Sequence, residues 1–239
     1  LTDMWRKLIW NYSLREARCL ELPVQDSGAV LSVSGGRILQ ILYKKFMSEQ
    51  TSRLSELADP SIVYVTDLVS CHHKYHLRKL YPELSIGFEP SAIMGNLIHA
   101  GIESIIMEYG FKPEFQLEKH VELNGRVYVL KGRVDAFHPE TREVLEIKSV
   151  KSFQGEPYEH HVQQLNIYLN LLDSPTGYLL YISHDKMFEY TVRPIRLDVE
   201  GELASLLRDE KHPRYAWECR YCPFRKICPY RGAEGGSES

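Results

Sequence analysis

A chain of 239 residues, 44% hydrophobic and 26% charged, can build one large globular domain with an appendage. Its net charge of −3 excludes a global positive field, so any nucleic-acid binding must rest on a local basic groove. No apolar run reaches about 18 residues, which predicts no membrane span. No signal peptide is expected, Leu1 reads as a trimmed start, and the cysteine count of five is odd; a cytoplasmic, reducing location is expected.

Residues 1–60 read as an N-terminal helical appendage. One helix would carry Trp5, Leu8, Ile9 and Tyr12, a Gly/Ser-containing stretch from Asp26 to Gly36 would break it, and a second would carry Ile38, Leu42 and Phe46. Cys19 reads there as a small buried thiol. Pro60 marks the boundary, with a main domain over residues 61–230 and a flexible tail over 231–239. After the apolar Ile62–Val65, the stretch TDLVSCHHKYHLRKLY predicts one helix capped by Thr66, ending before Pro82, with Cys71 in its second turn. It is the most basic short stretch of the chain. It is either a solvated helix face or a phosphate-contacting surface built from Lys74, Arg78 and Lys79.

Ser91 opens a further helix, closed by Gly110, in which Ile93, Leu97, Ile98, Ile102 and Ile106 keep helical spacing. His99 interrupts that apolar pattern. Gly95, one turn earlier on the same face, removes bulk where the imidazole could reach a neighbour, and Glu103, one turn later, would pair with it or orient it. Alternating runs on either side of Asn124–Gly125 then predict a β-hairpin.

The chain is organised around the stretch GRVDAFHPETREVLEIKSV, residues 132–150. It reads as two short apolar strands joined by a polar turn. Alternation puts Glu146 and Lys148 on one face of the second strand and Ile147 on the other; pairing would bring Asp135 to the same side as the charges. Two carboxylates beside one ammonium, among Val, Ile and Leu, are costly unless something occupies them. A hard divalent cation, Mg²⁺ or Mn²⁺, suits them, and Lys148 would orient a water or meet charge on a phosphate. The alternative is an ordinary hairpin with solvated charges. The helix YEHHVQQLNIYLNLL places Gln164 and Tyr168 four apart on one face. Two more strands, Gly177–Ser183 and Met187–Arg193, and a helix over Asp198–Lys211 complete an α/β fold, a mixed β-sheet flanked by helices.

Cys219, Cys222 and Cys228 are spaced C-x2-C-x5-C, with prolines after two of them. Three such thiols need a fourth ligand, from Cys71 or a histidine, to hold either zinc or an iron–sulfur cluster; spacing alone does not separate Zn(Cys)₄ from [4Fe–4S].

Gly95-x-x-x-His99, Asp135 in GRVDA, Glu146 and Lys148 in EIK, and Gln164-x-x-x-Tyr168 occur in the order seen in RecB-like nucleases of the PD-(D/E)xK superfamily. With Cys71 ahead and the three cysteines behind, residues 62–230 resemble the fourth CRISPR-associated protein family, RecB-like exonucleases with a C-terminal cysteine-rich iron–sulfur segment. The resemblance implies His99, Asp135 and Glu146 as metal ligands, with the Ile147 carbonyl adding another, and Lys148 as the catalytic lysine. Gln164 and Tyr168 would position DNA or active-site groups, and Cys71, Cys219, Cys222 and Cys228 would hold a [4Fe–4S] cluster. It further implies single-stranded DNA ends and overhangs as substrate, Mg²⁺ or Mn²⁺ as cofactor, and CRISPR integrase subunits as partners in prespacer processing, with a homo-oligomer possible. Many relatives have proline and arginine after the first cysteine, where this chain has His72 and His73. Mixed Cys/His zinc ligation therefore stays open, as do a non-catalytic DNA-end-binding module and a zinc-stabilised adaptor.

Overall fold

The computed structural model describes residues 21–23, 30–32 and 36–231. The first expected helix, Cys19 and the tail from residue 232 lie outside the described residues. The chain divides into two units, residues 1–50 and 51–239. In the first, β1 (Glu21–Pro23) pairs antiparallel with β2 (Val30–Ser32); β2 lies within the Asp26–Gly36 stretch expected to break the helix, and β1 before it. The second expected helix is α1 (Arg37–Ser52).

The larger unit opens with α2 (Leu54–Ala58) and β3 (Ile62–Tyr64). The single helix expected from Thr66 is two, α3 (Val65–Leu68) and α4 (His72–Leu80), so Cys71 sits at the N-cap of the second rather than inside the first. The break has a physical cause. Asp67 spends its carboxylate on the Tyr64 amide N–H at 2.9 Å and on Arg78, while the Cys71 amide N–H leaves the helix to donate to Glu218 Oε1 at 2.7 Å.

After α5 (Pro90–Ile106) the chain enters the sheet: β4 (Lys112–Leu123), β5 (Arg126–His138), β6 (Glu143–Ser149), then α6 (Glu159–Leu171), β7 (Thr176–Ile182), β8 (Met187–Val192) and α7 (Val199–Leu207). The β4–β5 turn is the expected Asn124–Gly125, with φ of 51° and 72°, the two left-handed positions a tight hairpin demands. β5 is the axis of the six-stranded sheet. β4 lines one edge; along the other, β3 runs parallel at Val129–Lys131 and β6 antiparallel at Ala136–His138. β6 and β7 are parallel, which requires a crossover, and α6 supplies it.

The two faces of the sheet are covered separately. Leu130, Val144, Leu165, Leu169 and Leu179 belong to the main core, on the side of α6. Ala136, Leu145 and Ile147 pack on the other face beneath Ile102 and Ile106 of α5. The cross-strand pairs of β5 and β6 stop at Ala136–Leu145, so the strands part at Asp135 and Glu146. Into that fork, side chains from helices on both faces can reach.

Candidate active site

Asp135 sits at the parting of the strands, and its two oxygens are both engaged. One accepts the Ile147 amide N–H at 2.6 Å; the other lies 3.2 Å from His99 Nδ1, which arrives from α5. The close approach of α5 depends on Gly95, because a Cβ there would stand 2.9 Å from the Ser149 hydroxyl. Ligand atoms of His99, Glu103 and Asp135 lie within 4.8 Å of one another, the only such group of three among the described residues. In the sequence Glu103 stands four residues after His99, one helical turn away, the spacing that signals its place in the group.

Glu146 lies on the α6 side of the fork. Its Oε1 accepts from Lys148 Nζ at 2.7 Å and from Gln164 Nε2 at 2.8 Å, while Gln164 Oε1 accepts a second N–H of Lys148 at 2.9 Å. Its Oε2 is buried without a hydrogen-bond partner. Burial pushes the Glu146 carboxyl up to about 7, with Lys148 pulling it down and Asp135 pushing it further up. Burial works against a charge on His99, but the hydrogen bond and charge of Asp135 outweigh it and raise its pKa. Glu103 is raised by burial and then by Asp135. A buried oxygen lacking a donor, among acids that disfavour one another's ionisation, is a donor set that fits a divalent cation.

Tyr168 is placed differently from its neighbour in the motif. It is 2% exposed, its hydroxyl donates to the Arg133 carbonyl at 3.1 Å, and a Cβ on Gly132 would stand 2.6 Å from its ring. It holds β5 in place and has no face left for a substrate base. Ile147 enters the site through its amide N–H, in the bond to Asp135.

The three basic residues expected to meet phosphate part company. Arg78 donates to Asp67 at 2.6 Å with both side chains largely buried, 11% and 5% exposed, and stacks on the Tyr64 ring. Lys79 donates to the Ile62 carbonyl at 2.7 Å, and burial, with Arg78 adding, pushes its pKa down to about 8. Both are committed to the fold, while Lys74 lines the cysteine cavity. Breaking a buried ion pair leaves an unpaired charge, so Arg78→Ala is expected to cost about 3 kcal/mol in urea unfolding. Lys74→Ala should cost less than about 0.5 kcal/mol, as surface substitutions do. Equal stabilities would show the Asp67–Arg78 pair to be idle.

Cys71, Cys219, Cys222 and Cys228 are all free thiols and line one cavity of about 130 Å³. Cys219 and Cys222 come from the short helix α8 (Glu218–Tyr221) and its C-cap. Burial pushes the Cys71 thiol up to about 11, with Glu218 and Cys222 adding to it and the His73 and Lys74 amide N–H groups opposing. Cys222 is raised by burial and then by its neighbours Cys228 and Cys219, against the Phe224 amide N–H. Thiols that repel one another's charge while facing backbone donors fit a cation or cluster that would take them as thiolates.

The histidines beside Cys71 face elsewhere. His73 Nδ1 lies 2.6 Å from Asp209 Oδ2, and His72 is fully buried with its Nδ1 accepting the Lys211 amide N–H. Burial, then Lys211 and Arg214, push the His72 pKa down to about 4. An unfolded histidine titrates near about 6.5, so this stability is complete above that pH and drains away as pH falls toward 4. About 2 kcal/mol should be lost by about pH 5, and His72→Gln should flatten that slope when urea midpoints at the two pH values are compared.

Residues 105–229 match the family model of the PD-(D/E)XK nuclease superfamily. The CRISPR-associated exonuclease Cas4 of Saccharolobus solfataricus is 37% identical over 202 residues, 80% of this chain and 98% of the relative. The crystal structure of SSO0001 superposes with a TM-score of 0.77 at 34% identity, covering 84% of this chain and all of that one. An alkaline exonuclease of Laribacter hongkongensis matches at 11% identity with a TM-score of 0.44, too distant to bear on the site. With a metal-ready fork in a helix-flanked sheet, and these relatives, the chain belongs to the Cas4 exonucleases of the PD-(D/E)XK superfamily and is a CRISPR-associated, metal-binding nuclease.

Proposed function

We propose that this nuclease is a Mg²⁺- or Mn²⁺-dependent exonuclease of single-stranded DNA ends and overhangs, trimming prespacers for the CRISPR integrase subunits during adaptation. The observation that carries the reading is the fork itself, where an unpartnered Glu146 oxygen lies beside one lysine and a clustered His99, Glu103 and Asp135. His99, Glu103, Asp135 and Glu146 would hold the cation, with the Ile147 carbonyl as a further donor. When bound, it supplies the positive charge that acidifies a water and draws charge from a phosphate. Lys148 gives two of its three N–H groups to Glu146 and Gln164, which leaves the third to orient the attacking water or a phosphate oxygen. One water is consumed: its oxygen bonds to phosphorus, the bond to the leaving nucleotide breaks, and the departing oxygen takes up a proton. Gln164 acts as a positioning residue for the lysine and Tyr168 for the strand that bears Asp135. Lys74 is the basic residue that would meet DNA.

A [4Fe–4S] cluster on Cys71, Cys219, Cys222 and Cys228 belongs to the same reading. Four free thiols lining one cavity support an all-cysteine site. The reading also takes residues 61–230 as the nuclease domain and residues 1–60 as an appendage.

Labelled single strands, overhang duplexes and blunt duplexes, incubated with Mn²⁺, Mg²⁺ or a chelator, test the activity. Stepwise loss of nucleotides from free single-stranded ends, abolished by the chelator, is expected. Metal-independent cleavage, or blunt duplex degraded as fast as single strands, would overturn the reading.

A further inference from the structure

We infer that Tyr158 and Trp217, bridged by His160, form a nucleobase-stacking platform that grips the strand just outside the fork, an inference that rests on the nuclease reading above. The rings make a continuous ledge. His160 stacks on Tyr158 at 5.9 Å and 27°, and lies 5.1 Å from Trp217; Tyr215 backs Trp217 at 6.0 Å and 15°. At the Tyr158 end the ledge is tied to the core. The Tyr158 amide N–H donates to the Tyr181 hydroxyl at 3.0 Å, His161 Nδ1 lies 2.8 Å from the same hydroxyl, and the buried Tyr181 ring stacks on Phe153 at 4.2 Å. The outer rings nevertheless stand in solvent, Tyr158 43% and Trp217 47% exposed. Rigid, half-exposed aromatic rings offer π-faces at little entropic cost, which is how single-stranded bases are held without sequence preference.

The position of the ledge fits a path to the metal. His160 lies one helical turn before Gln164, the residue that holds Lys148. Burial, then the field of Lys148, push the pKa values of His160 and His161 down. At the other end Trp217 shares the wall of the cysteine cavity with Lys74, which can take a phosphate. Beyond Tyr158, Glu156 and Glu159 line a hollow of about 440 Å³ and repel the phosphate backbone from that side. Bases freed from a partner strand can stack on the exposed outer faces of Tyr158 and Trp217, so the platform takes single-stranded ends.

The test is fluorescence anisotropy on the full chain, with Ca²⁺ in place of the activating metal. The probes are a labelled oligodeoxythymidylate and the same oligomer with abasic residues at its end. Tyr158→Ala and Trp217→Ala are each expected to weaken binding of the intact strand about ten-fold and to leave binding of the abasic strand unchanged, while Trp217→Phe restores most of the loss. Because Trp217 also borders the cysteine cavity, visible absorbance is recorded for each variant. Tyr158→Ala decides the matter if Trp217→Ala loses colour. Equal wild-type affinity for intact and abasic strands overturns the platform and leaves the nuclease reading standing. A wild-type protein that neither binds single strands nor cleaves them with Mn²⁺ overturns both.

Discussion

Cleavage should fall by about a thousand-fold or more when Asp135 and Glu146 are both replaced by alanine, because the site then loses the charge that holds a divalent cation. The variants separate by mechanism. Asp135→Ala frees the Ile147 amide N–H as well as removing a ligand, and Glu146→Ala takes away the acceptor shared by Lys148 and Gln164. Either alone should be partly rescued by high Mn²⁺. Lys148→Met should retain metal binding and lose about 100- to 1,000-fold in kcat, since it removes a charge aimed at the reacting phosphate. Glu103→Gln should behave as the carboxylates do if its place beside His99 and Asp135 reflects ligation. Thermal melts give a readout independent of turnover. Saturating Mn²⁺, at about 100 times Kd, should raise the wild-type Tm by roughly 5–10 °C and leave the double variant unmoved. A fully active double variant would remove the fork from the chemistry altogether.

Cys71→Ser is expected to have the largest effect on the fold of any substitution outside the active site. Its three partner cysteines lie close together in sequence, whereas Cys71 reaches the cavity from the other end of the domain. Closing so long a loop restricts the unfolded chain. By analogy with a covalent cross-link the loss is about 3–5 kcal/mol, and on the proposed cluster the iron would go with it. The two ends of the domain are also joined without the sulfurs, by the Cys71 amide N–H on Glu218, the His72 amide N–H on the Lys211 carbonyl and Arg214 on the Leu68 carbonyl. Cys71→Ser should therefore still fold in the cold, colourless and with a lowered Tm. Weaker DNA binding should accompany it, because Lys74 rides on the helix that Cys71 caps. Cys19→Ser serves as the control and should keep both iron and Tm. Four irons per chain with a wild-type Tm in Cys71→Ser would pass the fourth ligand to another group.

The sequence alone was enough for the parts whose spacing along the chain is the information. The Asn124–Gly125 turn, the alternation that sets Glu146 and Lys148 on one face, the helix carrying His99 and the C-x2-C-x5-C run depend on strand period, turn geometry and helical pitch. The mixed sheet with its crossover helix follows from the order of such pieces. Tertiary structure decided what each polar side chain was left free to do. Arg78 and Lys79 look like any basic helix face until Asp67 and the Ile62 carbonyl are seen to claim them. Tyr168 has the spacing of a site residue but fills the space over Gly132, and the helix meant to run through Cys71 breaks because Glu218, far away in the chain, takes its amide N–H. The four-residue spacing pairs Glu103 with His99, but only the parting of β5 and β6, which lets α5 reach Asp135, makes it a candidate ligand. Burial and the identity of a partner are set by residues distant in sequence, and no local period carries them.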